Sequence, residues 1–441
     1  MKGMTMNSTP QSDRGRDVSD ALVCLDRAGL TTIVRRALDN DHLDVDSWDV
    51  RPLVYDHTNP VSAGVHRIVG TAHDGTRRCS WSLIHKAVRS PAGVTMPNGE
   101  AVPRDIPHGP AFFGYWRREP EAYGAGLLQD LPGGMAAPRC FGVSARPDGT
   151  IWLWLEEVVD GRETRWTPEH CAVAARVLGR FNGAYLSGRP VPVHPCLGGG
   201  WLRSWLNVRI ALLMEEMRRT DVWEHPLVRG AFPEPVVDHV LRLWAEREVF
   251  LDGLDRLPRT MCHRDAFRSN LFLRRDGAGR ERMVAIDWAY AGIGPLGEEI
   301  APLIAAAPAG DGPDLAPWIV EAAVFDGYLQ GLSAAGWCGD AWSVRFGYAA
   351  TAALRYLFMT AAEMLSDAGD EGQYAAIEQR RELPIAQVME QHAALIHFLL
   401  GLAEEARALL SAITTTTAMS PQSANQESMS AGTPTSDHKN T

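Results

Sequence analysis

Apolar residues along this chain repeat at two different intervals, short and strand-like first, helical later. Ala21-Leu22, Leu25, Leu30, Ile33-Val34 and Leu38 predict an opening helix, interrupted at Gly29. The spacing then tightens. Trp48–Val50, Val65–Thr71 and Cys79–Ala87 predict strands, and Asp74-Gly75 between the last two is a hairpin turn signal. A Pro/Gly-rich stretch, Ser90–Pro110, reads as a surface loop long enough to suggest a function. Helical character returns near Tyr115–Leu128, and Thr150–Leu155 reads as a further strand followed by Glu156-Glu157-Val158.

From Thr167 the helical period prevails. Thr167 is a good N-cap, Pro168 suits the first helical position, and Val173, Val177-Leu178, Phe181 and Tyr185 share a face until Gly188. Further helices are predicted over Trp201–Arg218, Pro235–Asp255, Trp318–Leu332, Ala341–Leu365 and Leu383–Ser411. Two short strands, Leu271–Arg274 and Met283–Asp287, interrupt them around a turn at Asp276-Gly277. The fold class expected is α+β: a small β-rich lobe over residues 19–158 and a larger, mainly helical lobe over 159–413. The polar ends, 1–18 and 414–441, lack the apolar residues needed to offset ordering entropy and are expected to be disordered tails.

The chemistry concentrates in His263-Arg264-Asp265-Ala266-Phe267-Arg268-Ser269-Asn270, followed by the apolar strand that ends in Asp287. This is the H-R-D-x-x-x-x-N arrangement of phosphoryl transfer. Asp265 can accept or orient a hydroxyl proton, and Asn270 and Asp287 offer oxygens suited to Mg²⁺ against nucleotide phosphates. The plainer alternative has Asp265 and Asn270 capping a turn and Asp287 capping the next element. The combination of motif, turn, strand and terminal Asp favours the functional reading. His263 is expected to bond the backbone and fix the loop; Arg264 and Arg268 could touch phosphate, but a surface or packing role is expected for each.

Upstream, Ser82-Leu83-Ile84-His85-Lys86 resembles a strand ending in a phosphate-pairing lysine. Lys86 needs an acid from the following helix, for which Glu119 and Glu121 compete. Asn59–Val65, with Ser62 and Gly64, has the small residues that let backbone N–H groups approach phosphates, although with a single glycine it is a poor glycine-rich loop. Glu156 and Val158 stand where the lobes should hinge and where backbone groups can meet a nucleotide base.

Composition narrows the setting. A formal net charge of -11 leaves no surplus of Lys and Arg to displace counterions, which argues against a nucleic-acid partner. The seven cysteines are scattered without CxxC spacing, as expected for reduced thiols. Neither a signal-type apolar region nor a run of membrane-spanning length is present, so a cytoplasmic protein without membrane attachment is expected. Gly292–Gly297 fits G-x-G-x-x-G, but no βαβ pattern surrounds it, and a turn leading to the next helix is the expected role.

Taken with Val284–Gly297, the His263–Asn270 segment resembles the aminoglycoside phosphotransferase/choline kinase-like family. The resemblance implies a bilobal, protein-kinase-like fold, Mg²⁺ and ATP (in some members GTP) as cofactors, and a hydroxyl of a small molecule as acceptor. It also favours Glu119, since Arg118-Glu119 resembles the family's Arg-Glu. Two positions depart from the family pattern: Arg264 stands where many small-molecule members have Gly, and Glu298-Glu299 replaces a Gly-Asp at the next helix start. Two other functions stay open. A peptide or protein acceptor is disfavoured by Phe267, which replaces the lysine that protein kinases place two residues after the base. A catalytically silent binding module is disfavoured by Asp265, Asn270 and Asp287 themselves.

Overall fold

Strand alternation determines how the N-terminal part of the molecule is built. In the computed structural model, which describes residues 26–53, 59–96, 101–158, 166–232, 236–305 and 315–418, five antiparallel strands form one sheet. They are β1 (Asp44–Pro52), β2 (Ser62–His73), β3 (Arg78–Val88), β5 (Cys140–Ala145) and β6 (Ile151–Glu156), in the order β1-β2-β3-β6-β5. The expected tail before residue 19 lies outside the described residues, as do Ala21–Leu25 of the opening helix. The N-terminus of helix α1 (Arg27–Ala37) is capped by Asp26, whose carboxylate accepts from the Ala28 and Gly29 N–H groups. Gly29 therefore sits in the first turn and does not interrupt the helix.

Successive side chains on a strand face opposite ways. On β6, Trp152 and Trp154 join Leu30, Val34, Ile68 and Leu83 in a core beneath α1, while Leu153 and Leu155 join the core of the helical lobe. On β3, His85 pairs with Trp154 and Lys86 with Leu153, so alternation alone turns Lys86 toward the helical lobe. The β2–β3 turn is held by Asp74, whose Oδ1 accepts from the Thr76 and Arg77 N–H groups, with Gly75 in the left-handed region.

The helical expectation near Tyr115–Leu128 contracts to a short helix α2 (Arg118–Gly124). Helix α3 (Pro168–Leu186) opens on a capping box between Thr167 and His170. The stretch after Trp201 is helical in pieces, widened to a π turn over Leu206–Ile210. The long helices of this lobe are α4 (Val237–Asp255), α5 (Pro317–Ala334), α6 (Ala341–Gly369) and α7 (Ile385–Ala418). Helix α7 takes in the first residues of the expected C-terminal tail, the remainder of which lies outside the described residues. Among the described residues no helix is long and apolar enough to cross a membrane.

Small sheets inserted among these helices carry the motif. Strand β4 (Met135–Ala136) pairs with β9 (Glu281–Ala285), which pairs with β8 (Leu271–Arg275), and β7 (Arg259–Cys262) pairs with β10 (Gly292–Pro295). The G-x-G-x-x-G segment is thus largely a strand rather than the expected turn. Side chains at Gly292 and Gly294 would collide with Arg264 and Glu298, so glycine here makes room for a buried ion pair.

His85 is fully buried against the edges of Trp152 and Trp154, and neither ring nitrogen has a hydrogen-bond partner. Burial, helped by His66 and Arg146 nearby, pushes it down to about 3. An unfolded chain takes up the proton near pH 6.5 and the folded chain refuses it, so stability is lost as pH falls below that value. The loss expected from His85 at pH 5 is about 2 kcal/mol. Thermal unfolding at pH 7.5 and pH 5 should show a smaller acid loss for His85→Phe than for the unsubstituted protein. An equal loss would exclude His85 as a source.

Candidate active site

Lys86 stands at the meeting point of three elements. Its Nζ lies 2.6 Å from Glu119 Oε2 on α2 and 2.8 Å from Asp287 Oδ1, just past β9. Glu119 uses its other oxygen to accept from the Trp288 N–H, at 3.2 Å, and so ties α2 to the same segment. Glu121 is engaged elsewhere, accepting from the Tyr115 hydroxyl. Between Glu119 and Glu121, the geometry pairs Glu119 with Lys86.

Charge follows from this packing. Burial alone would lower the Lys86 ammonium, but Asp287 and Glu119 together hold it above the usual amine range. Burial likewise raises Asp287, and the Lys86 charge and hydrogen bond overcome it, holding the carboxyl below its ordinary value. One ammonium between two carboxylates leaves a net negative charge, which suits a divalent cation. Asp287 remains open to a ligand, with its side chain 37% exposed against 16% for Lys86.

The loop 263–270 brings Asp265 and Asn270 together. Asn270 donates through Nδ2 to the Asp265 carbonyl at 2.9 Å and to Asp265 Oδ2 at 3.0 Å. That spends the amide nitrogen and leaves the amide oxygen as a ligand atom. Asp287 has φ 61°, in the left-handed region. The oxygen donors fit a hard cation, with Asn270 and Asp287 as the residues that would hold it. Asp265 is pushed up to about 7, chiefly by burial, with Arg355 acting against that shift.

Why the loop takes this shape is visible in its backbone. His263 has Nε2 2.9 Å from the Ile286 carbonyl, and its Nδ1 accepts from the Asp265 N–H at 3.2 Å. Arg264 is at φ 65°, where a Cβ is disfavoured, and both it and His263 donate their N–H groups to the Glu299 carboxylate. The Arg264 side chain is buried and paired with Glu298 at 3.2 Å. Arg268 is buried and donates to the Leu303 carbonyl. Both arginines pack the loop from behind.

The remaining expected residues lie around the sheet. Ser62 and Gly64 flank a bulge at the start of β2, next to residues 54–58, which are outside the described residues. The Ser62 N–H donates to the Asn59 carbonyl. Glu156 ends β6 with its N–H spent on the Arg139 carbonyl, while Val158 lies beyond the strand end, half-buried.

Sequence reasoning missed two arginines. Arg118 is buried and donates to the carbonyls of Pro110, Phe112, Phe113, Cys196 and Ala289, fixing the end of the Pro/Gly-rich loop to the Asp287 segment. Arg355 on α6 reaches Asp265 Oδ1 at 3.4 Å and donates to the Arg264 carbonyl. A lone charge inside the apolar run Ala352–Phe358 was the available signal, since a buried arginine needs partners.

The model of the phosphotransferase enzyme family matches residues 127–337, a span that includes the loop, both small sheets and Asp287. Over this span the chain is similar to that family. No curated protein matches the chain. Solved structures similar to it include a choline kinase from Cryptosporidium parvum, 13% identical with a TM-score of 0.43, covering 88% of this chain and 99% of that one. A Plasmodium vivax ethanolamine kinase is 14% identical with a TM-score of 0.39, over 78% of this chain and 84% of that one. A macrolide 2'-phosphotransferase from Brachybacterium faecium is 17% identical with a TM-score of 0.39, over 84% and 97%.

The two N–H groups held by Glu299 are buried, so Glu299→Ala leaves both without an acceptor. The expected cost is about 1–3 kcal/mol for each, read as a shift in the denaturant midpoint. A variant as stable as the parent would mean that the loop is held by something other than this carboxylate.

Proposed function

We propose that the protein is a Mg²⁺- and ATP-dependent kinase that transfers the γ-phosphoryl group to a hydroxyl of a small molecule. The observation that carries this reading is the convergence of Lys86, Glu119 and Asp287 from three separate elements. It sits beside an Asn270 whose amide nitrogen is spent and whose oxygen is not. The same lysine–glutamate pair must be in place for transfer in protein kinases.

The nucleotide lies between the lobes in this reading. Lys86 offsets charge on its phosphates, and the backbone past β6, at Val158 rather than the Glu156 N–H, meets the base. Ser62 and Gly64 are assigned to the phosphate side through the β1–β2 turn. Asn270 and Asp287 would hold Mg²⁺, which would supply positive charge to offset that of the phosphates. Asp265 accepts the acceptor's hydroxyl proton as the oxygen–phosphorus bond forms. The bond from γ-phosphorus to the β-bridging oxygen breaks, and ADP leaves with that electron pair. Positioning and electrostatics carry the rate gain, since little covalent chemistry falls to the protein. GTP would serve the same phosphate contacts, so the choice of base rests on the hinge alone. A cytoplasmic location suits a nucleotide-consuming enzyme whose Cys79, Cys140, Cys196, Cys262 and Cys338 are free thiols.

Radiolabelled transfer from γ-labelled ATP to a panel of amino alcohols, sugars, aminoglycosides and polypeptides tests the proposal. Product is expected among the small molecules, and label only on polypeptide would favour a protein kinase. Asp265→Ala should lower kcat by about 10²–10⁴-fold while leaving Mg²⁺–ATP affinity nearly intact. Unchanged turnover would remove Asp265 from its role. Absence of any Mg²⁺–nucleotide-dependent thermal shift would point to a silent binding module.

A further inference from the structure

Resting on that reading, the geometry points to Arg355 as the positioning residue for the Asp265 carboxylate and its loop. The loop has arginines of its own, but both are turned away: Arg264 to Glu298 and the Ile293 carbonyl, Arg268 to the Leu303 carbonyl. Phe267, two residues after Asp265, contributes a ring and no charge. The cation beside Asp265 comes instead from helix α6, 90 positions away in sequence.

Arg355 grips two consecutive residues of the loop. One guanidinium nitrogen donates to the Arg264 carbonyl, and the other lies 3.4 Å from Asp265 Oδ1. Arg264 is the residue held at φ 65°. Its N–H is fixed by Glu299 and its carbonyl by Arg355, so the disfavoured backbone is clamped from both sides. Asn270 takes the other oxygen of Asp265, and between them Arg355 and Asn270 fix the plane of the carboxylate. Rotation of that plane is what the two contacts prevent.

The guanidinium is itself immobilised. Its carbon lies 4.7 Å from the centre of the Trp201 ring, 5.1 Å from that of Tyr356 and 5.9 Å from that of Phe267. Only 7% of the side chain is exposed. A planar fork of donors pressed between aromatic faces can span a carbonyl and a carboxylate at fixed separation, which a lysine ammonium cannot do.

Purified Arg355→Lys and Arg355→Met proteins, compared with the parent for Mg²⁺–ADP affinity and for transfer from γ-labelled ATP to the acceptor panel and to water, test this assignment. Expected for Arg355→Met is Mg²⁺–ADP affinity close to the parent's with kcat lowered by about 10²-fold, the scale of a small misplacement of a reacting group. Arg355→Lys should recover only part of the loss. Millimolar guanidinium added to Arg355→Ala should restore some turnover, which a purely structural role would not allow. If Arg355→Met fails to fold, Arg355→Lys decides, and parental kcat in that variant overturns the assignment. Parental kcat in Arg355→Met overturns it too, as does loss of ADP affinity in step with kcat. No transfer by the parent protein to any acceptor, water included, would instead overturn the phosphotransferase reading beneath it.

Discussion

The rest of the structure depends on one buried ammonium held between two carboxylates. Lys86 belongs to the sheet, Glu119 to a short helix and Asp287 to the end of a strand in the helical lobe. The sheet has a core of its own beneath α1, while α2 and β9 share the core of the helical lobe, and the charges meet within hydrogen-bond distance. Removing Lys86 would leave the buried Glu119 uncompensated, at a cost of about 3–5 kcal/mol, whereas loss of either carboxylate leaves Lys86 with the other. The contact joins the sheet to the helical lobe alongside the apolar packing of Leu153 and Leu155, and it leaves negative charge that suits a divalent cation.

Around that contact the protein uses buried polar bonds in place of flexible loops. Glu299 holds two N–H groups of the loop, Arg355 holds its carbonyl and carboxylate, and Arg118 gathers five carbonyls from segments far apart in sequence. Such groups are costly to bury unless satisfied, so each acts as an address that only one chain arrangement can fill. The glycines at 292 and 294 belong to the same design, since side chains there would displace the Arg264–Glu298 pair.

Much of this was legible in the sequence because local rules governed it. The Asp74-Gly75 turn placed the hairpin that carries Lys86, and Thr167-Pro168 placed the start of α3. Of the residues named by the spacing from His263 to Asn270 and by the strand before Asp287, Asn270 bonds Asp265, and Asp287 pairs with Lys86. What stayed hidden was set by distant partners. Glu119 and Glu121 lie in one short helix, and the contacts of Glu119 with Lys86 and of Glu121 with Tyr115 separate their roles. Arg355 looked like an isolated charge because its partners lie some 90 residues upstream. The glycine strand looked like a turn because the ion pair it accommodates is tertiary.

Crystals grown with Mn²⁺ in place of Mg²⁺ and a non-hydrolysable ATP analogue would locate the ion by its anomalous scattering. The ion is expected about 2.0–2.3 Å from the side-chain oxygen of Asn270 and from a carboxylate oxygen of Asp287, with the phosphates alongside Lys86. An ion bound away from these two residues, or a nucleotide that binds between the lobes without one, would contradict the central claim.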